Sequence, residues 1–292
     1  MGELSLRANA KINLFLEVLG KRPDGYHNIE TVFQSIDLHD LVILRENTSG
    51  VVEIRCDDPR VPLDRSNLAY RAAELLSNES GRRHGIQIHI LKRIPVGAGL
   101  AGGSTDAAAA LIGLNELWGL GYSVEDLLRM GSKLGADVPF CIMGGTALGR
   151  GRGDELTRLT PLPEIPIVIA NPGFQVSTTR AYGSLRNLGL TRAGKSANIL
   201  IGKMQRRDVS GVGKELFNIF ESVVIREHPL VREIKEEFAR SGALGALMTG
   251  SGPTVFALAR DTSSARYIRE RVSQLVDFCI ITRTSNVSIA KT

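Results

Sequence analysis

Cysteine, aromatic residues and long apolar runs are all scarce in this chain. Its three cysteines, Cys56, Cys141 and Cys279, are too few and too scattered among 292 residues for a disulfide framework or a metal knuckle, and read as reduced structural thiols. Aromatics make up only 5% of the residues. Charge of one sign is not concentrated anywhere: 36 Lys and Arg face 31 Asp and Glu, a net +5 spread along the chain. A nucleic-acid binder gathers its positive charge, so no such partner is expected, whereas a mild basic excess suits anionic small molecules. The one uncharged stretch of membrane-spanning length, residues 241–259, contains Gly242, Gly245, Gly250, Gly252 and Pro253 and is too broken to cross lipid. Glu3, Arg7 and Lys11 interrupt the apolar core that a signal peptide needs, and Leu6 stands where myristoylation requires Ser or Thr. What is there, 43% hydrophobic and 23% charged residues with abundant glycine, describes a globular chain able to bury a large core in one or two domains. A soluble cytoplasmic protein is expected, a monomer or weak homodimer, without a metal site or membrane partner.

The first ninety or so residues read mainly as strands. Ile12, Leu14, Leu16 and Val18 alternate with Lys11, Asn13, Phe15 and Glu17, and the runs VFQSI, LVILRE, VVEIRC and IQIHILK follow. A helix fits residues 66–76, and the Ala-rich run DAAAALIGLNELW predicts another. Ser123 with Asp126 reads as the start of a third. The Gly/Arg-rich stretch GRGRGDE and then PLPEIP mark a composition shift, which places a domain boundary near residue 160. Beyond it come a strand IVIA, a helix from about Thr178, and helices over 214–225 and 229–239. Two strands flanking TGSGP, a helix and a last strand over 278–282 complete the reading. Strands mixed with helices in both halves predict two α+β domains, residues 1–160 and 161–292.

The strongest local signal lies between a strand and a helix, in PVGAGLAGGST. Gly97, Gly99, Gly102 and Gly103 let backbone approach a ligand, and N–H groups at a helix start attract phosphate. An ordinary tight turn needs fewer glycines. Gly97, Gly99 and Gly102 match the dinucleotide fingerprint, but the following helix leads to a second helix, SVEDLLRMGSKL, and not to a strand with an acidic end. Gly103 occupies the position where a P-loop needs lysine, and neither H-R-D nor D-F-G occurs for a protein kinase. A backbone phosphate cradle of another class remains, with Ser104 and Thr105 offering hydroxyls to phosphate or magnesium.

PVGAGLAGGSTDAA resembles the phosphate-binding motif of the GHMP kinases, and AKINLFLEV and TGSGPTVFAL resemble that superfamily's first and third motifs, in the right order. Within it, the D-G-Y-H stretch at residues 24–27, together with LGADVPF, is similar to the branch that phosphorylates the 2-hydroxyl of a diphosphocytidyl-methylerythritol in the non-mevalonate isoprenoid pathway. The resemblance implies a ribosomal-protein-S5-like N-terminal domain against a ferredoxin-like C-terminal one, with nucleotide and substrate meeting between them. It also implies ATP as phosphate donor, with Mg2+ accompanying it. Two rivals stay open: a GHMP kinase acting on homoserine or mevalonate, which would lack D-G-Y-H, and a catalytically dead sugar- or nucleotide-binding sensor, against which intact Lys11 and Asp137 argue.

Phosphoryl transfer needs an in-line nucleophile, neutralised charge and a receiver for the hydroxyl proton. The resemblance gives that last role to Asp137; read alone, an aspartate before Pro139 is first a helix cap. It puts Lys11 beside Asp137, keeping the carboxylate ionised, although alone Lys11 reads as a solvated strand lysine. Asn13, two residues on, shares Lys11's face and is placed to meet the substrate. The ATP site implied is the whole run Pro95, Val96, Gly97, Ala98, Gly99, Leu100, Ala101, Gly102, Gly103, Ser104 and Thr105, with Asn67, which is locally an equally good N-cap. On the substrate side stand Tyr26 and His27, the latter hydrogen-bonding cytosine, with Phe33 and Tyr182 stacking on the base and Thr178 on the diphosphate. Phe33 is equally a core residue of its strand. Gly250 and Gly252 are expected to pack the third motif against the phosphate loop.

Overall fold

The computed structural model describes residues 2–81, 85–187 and 196–292. The chain opens with two long antiparallel strands, β1 (Glu3–Lys21) and β2 (His27–Asn47). The runs VFQSI and LVILRE, expected as separate strands, both lie within β2. There follow β3 (Val52–Cys56), α1 (Leu68–Ser80), β4 (Gly85–Leu91), α2 (Gly102–Leu117), α3 (Val124–Leu134), α4 (Val138–Met143), β5 (Thr146–Arg150) and β6 (Glu155–Arg158). The second part of the chain runs β7 (Pro166–Asn171), α5 (Thr178–Asn187), α6 (Ala197–Gln205), α7 (Val209–Lys214), β8 (Phe217–Asn218), α8 (Glu221–Glu227), α9 (Pro229–Arg240), β9 (Gly245–Met248), β10 (Val255–Leu258), α10 (Thr262–Val272), β11 (Phe278–Arg283) and β12 (Ile289–Lys291).

Two sheets result. The first has the order β12-β1-β2-β4-β3, with β5 on β2, β6 on β5 and β8 on β1; the second is the antiparallel set β11-β7-β10-β9. The chain crosses from the first sheet to the second between Arg158 and Pro166, yet β8 and β12 come back to pair with β1. The part expected as 161–292 therefore builds both sheets. The Gly/Arg-rich stretch expected at the boundary turns between β5 and β6. Sequence reading had a single helix over 214–225; β8 and the turn around it split that run into the end of α7 and α8.

A register shift in the β1–β2 pairing explains how β1 is buried on both faces. Leu6 and Ala8 pack with Ala72, Leu76 and Leu111 of α1 and α2. Past the irregularity between Asn9 and Lys11, Ala10, Ile12 and Leu14 face the second sheet, against Ile167, Ile169 and Phe256. An irregular residue count in one strand changes which face a given parity serves, so even-numbered side chains enter one core before the shift and another after it. Each fully buried side chain of that size contributes about 1.5–3 kcal/mol. The odd-numbered Lys11 and Asn13 are left on the opposite face, where the segment leading into α2 covers them: the N–H of Lys11 donates to the carbonyl of Leu100 at 3.2 Å. Among the described residues no helix is long and apolar enough to cross a membrane.

Candidate active site

A cavity of about 850 Å³ opens where β1, the glycine-rich segment before α2, the start of α4, α5 and the β9–β10 turn meet. Lys11 lies at its heart. Its side chain is 4% exposed, with Nζ 3.4 Å from Asp137 Oδ2, and the ammonium donates to Asn13 Oδ1 at 2.9 Å and to the Gly99 carbonyl at 3.1 Å. This excludes a solvated strand lysine. Asn13 is itself held: its Nδ2 donates to Thr31 Oγ1 at 2.8 Å and its backbone N–H to Thr249 Oγ1 at 3.0 Å.

Asp137 stands at the N-cap position of α4, but its φ of −83° and ψ of −16° are helical and its side chain makes no cap bond. A capping side chain needs extended backbone to fold back over the first turn. Relieved of that role, the carboxylate is one-third exposed and turned toward the cavity and Lys11.

Gly97 and Gly99 adopt φ of +67° and +77°, and Ala101, with φ of +58°, begins α2 without a side-chain cap. The first-turn N–H groups thus face a ligand position with no side-chain oxygen competing for them. The glycines divide by cause. A Cβ on Gly99 would lie 2.3 Å from the Thr249 carbonyl oxygen, and one on Gly102 would lie 2.8 Å from Lys92 Nζ. A Cβ on Gly103 would meet nothing within 4 Å. Packing inside the protein therefore demands Gly99 and Gly102, and Gly103 is the one that fronts open space. Gly250 closes against the loop, its would-be Cβ 3.0 Å from the Gly99 carbonyl oxygen. Gly252 closes there too, its carbonyl oxygen 3.2 Å from where a Gly99 Cβ would lie, while its own would-be Cβ meets Met248 Sδ.

Also lining the cavity, the His27 and Tyr182 rings stack, 4.5 Å apart and 17° from parallel, with Tyr182 edge-on to Phe220. Burial, with the Asp137 charge adding to it, pushes the Tyr182 phenol up to about 12. Tyr26 is 54% exposed, and the Arg152 guanidinium sits 5.0 Å over its ring. Thr178 Oγ1 lies 2.9 Å from Ser251 Oγ.

Comparison with known proteins shows the family to which the chain belongs. Residues 67–145 match the family model of the GHMP kinases N terminal domain, and residues 200–277 that of the GHMP kinases C terminal. The chain is 46% identical over 279 residues to 4-diphosphocytidyl-2-C-methyl-D-erythritol kinase of Pelotomaculum thermopropionicum, covering 96% of this chain and 97% of that one. It is 43% identical to the like-named enzyme of Alkaliphilus metalliredigens, covering 94% of each. The chain belongs to the 4-diphosphocytidyl-2-C-methyl-D-erythritol kinase family of the GHMP kinases. A crystal structure of 4-(cytidine 5'-diphospho)-2C-methyl-D-erythritol kinase superposes with a TM-score of 0.82 at 32% identity, over 97% of this chain and 99% of that one. A homoserine kinase from Cytophaga hutchinsonii reaches 0.80 at 22% identity, over 100% and 98%, which shows a shared fold alone. Membership in this kinase family makes the chain a phosphotransferase acting on a hydroxyl group.

The family's cavity gathers Lys11, Asn13 and Asp137, then Tyr26, His27, Phe33, Thr178 and Tyr182, and from the loop Gly97, Ala98, Gly99, Ala101, Gly102, Gly103 and Ser104. It does not gather every residue expected there. Thr105 is fully buried, Leu100 is 1% exposed in the core between the sheets, and Pro95 and Val96 lie outside the lining. Asn67 also lies outside it, with both ends of its amide engaged: Oδ1 accepts from the N–H of Ala69 and Nδ2 donates to the Pro62 carbonyl, each at 2.9 Å. Phe33 reaches the wall, but it is 1% exposed and its ring stacks on Phe140 at 4.7 Å. Several lining residues escaped the sequence reading, among them three able to meet an anion. Arg152 comes from the GRGRGDE turn, whose glycine–arginine alternation was its signal; Ser251 lies inside the TGSGP motif; Lys21 at the end of β1 carries no signal.

Proposed function

We propose that this enzyme transfers the γ-phosphoryl group of ATP to the 2-hydroxyl of 4-diphosphocytidyl-2-C-methyl-D-erythritol, a step of the non-mevalonate isoprenoid pathway. The observation that carries the reading is one cavity lined by the Lys11–Asp137 pair, by the helix start and by the His27–Tyr182 stack. The substrate's hydroxyl belongs beside Asp137, which accepts its proton as the oxygen attacks the γ-phosphorus and the bond to the ADP oxygen breaks. Lys11 offers positive charge to the oxygens of the transferring group. The N–H groups at the start of α2, fronted by Gly103, receive the phosphates. Magnesium accompanying ATP takes most ligands from phosphate and water, so it needs little from the protein. The Ser104 hydroxyl on the cavity wall fits that small demand, and the ion's part is to neutralise phosphate charge. His27, Tyr26 and Tyr182 supply an aromatic and polar seat for cytosine, with Arg152, Lys21 and Thr178 nearest the diphosphate. The test is product analysis: phosphorus NMR should find ADP and one new phosphomonoester on the 2-hydroxyl. ATP hydrolysis without transfer, or a phosphate on another oxygen, would overturn the assignment.

A further inference from the structure

Beneath the phosphate loop lies a buried ion cluster that the chemistry above does not use. The Lys92 side chain, 4% exposed, pairs with Asp40, fully buried, and with Asp106, 3% exposed, 2.8 Å away. Asp40 also accepts from the backbone N–H groups of Arg93 at 2.6 Å and Ile94 at 2.8 Å, the residues that lead into the loop. Asp106 belongs to α2, the helix that leaves it, and Lys92 Nζ lies 2.8 Å from where a Gly102 side chain would begin. Both ends of the loop are therefore tied to one ammonium, with the left-handed Ala101 held between them.

Burying an ammonium with two carboxyl groups is costly, and apolar side chains of similar volume commonly serve stability as well or better. Asp106 Oδ1 has no hydrogen-bond partner, an added cost that a purely structural staple would not need. The position of the cluster, and not its stability, is what it offers. We propose that Lys92 and Asp106 are positioning residues for ATP: by joining the start of the loop to the first turns of α2, they hold the N–H groups around Gly103 at the spacing that the phosphates require.

The inference rests on the loop's being the triphosphate site, which Gly103→Val tests separately. Asp106→Leu leaves Lys92 paired with Asp40 and cuts only the tie to α2. Its Kd for ATP, by calorimetry, should rise about tenfold, while KM for the hydroxyl substrate moves less than twofold and the melting temperature stays within a few degrees. Asp106→Asn, which keeps an acceptor for Lys92, should restore ATP binding to within about threefold. If Asp106→Leu does not fold, Lys92→Met/Asp106→Leu takes its place with the same expectation. ATP affinity within twofold of wild type in the folded variant, equal losses for both substrates, or failure of both variants to fold would overturn the positioning role. If Gly103→Val also binds ATP normally, the loop assignment itself falls; if it alone loses ATP, only the cluster's role falls.

Discussion

The role proposed for Asp137 depends on what its backbone denies it. Helical φ and ψ at the N-cap position turn the carboxylate away from the α4 amides and leave it 3.4 Å from a buried ammonium. Asp137→Asn keeps the volume and removes the proton acceptor, so turnover should fall by roughly 10²-fold or more with ATP affinity within about twofold. Steady-state kinetics beside calorimetry decides it, and near wild-type turnover would remove Asp137 from the mechanism. Asp106 makes a separate prediction. Burial pushes its carboxyl up from 3.8 to about 7, against the pull of Lys92 and with Asp40 adding to the rise. The folded protein then holds a proton that the unfolded chain has released, so this group penalises folding increasingly as pH rises from about 4 to 7. Asp106→Asn should gain stability relative to wild type between pH 5 and pH 8 in parallel denaturant titrations; a pH-independent difference would contradict the raised value.

At the scale of elements, the loop before α2 separates glycines that pack from the one that fronts the open cavity. Gly103→Val should place side-chain carbons in the cavity and weaken ATP binding in a protein that melts normally. Gly99→Ala should do the reverse: a Cβ 2.3 Å from the Thr249 oxygen, at φ of +77°, destabilises the fold itself. A strained position of that kind costs on the order of 1–3 kcal/mol. Differential scanning calorimetry with and without ATP separates the two; unchanged ATP affinity in folded Gly103→Val would sink the loop assignment. The loop was legible because four glycines between a strand and an Ala-rich helix are visible locally. Which of them fronts the cavity was not, because the atom opposing Gly99 comes from Thr249, distant in sequence, and the one opposing Gly102 from Lys92, whose burial a strand pattern does not show. The alternation of β1 placed Lys11 and Asn13 on one face, but period two says nothing about what covers a face. The short elements α4, β5, β6 and β12 were invisible for a related reason: a few residues carry too little periodicity, and the three strands are shaped by pairing, β12 with β1, β5 with β2 and β6 with β5.

For the whole molecule, the two sheets share one core through Ile12, Leu14 and Phe256, and β12 brings the C-terminus back beside β1. The cavity is thereby walled by segments from both parts of the chain. On the proposed reading, substrate choice belongs to residues that meet the cytidyl end, whose binding energy serves to position the reacting end. His27→Ala should lose a base contact and Tyr182→Ala a stacking face, each costing ~1–3 kcal/mol in kcat/KM for the cytidyl substrate. ATP affinity should hold in both, and a loss confined to ATP would relocate these residues to the nucleotide side. The fold alone does not choose the alcohol, since a homoserine kinase superposes almost as closely as the cytidyl enzyme. The most direct test is therefore kcat/KM for the purified wild-type protein, with ATP and magnesium, on 4-diphosphocytidyl-2-C-methyl-D-erythritol, homoserine, mevalonate and galactose side by side. The cytidyl alcohol should be phosphorylated and the other three should give no turnover above background. Preference for homoserine or mevalonate, or no transfer to the cytidyl alcohol, would contradict the account.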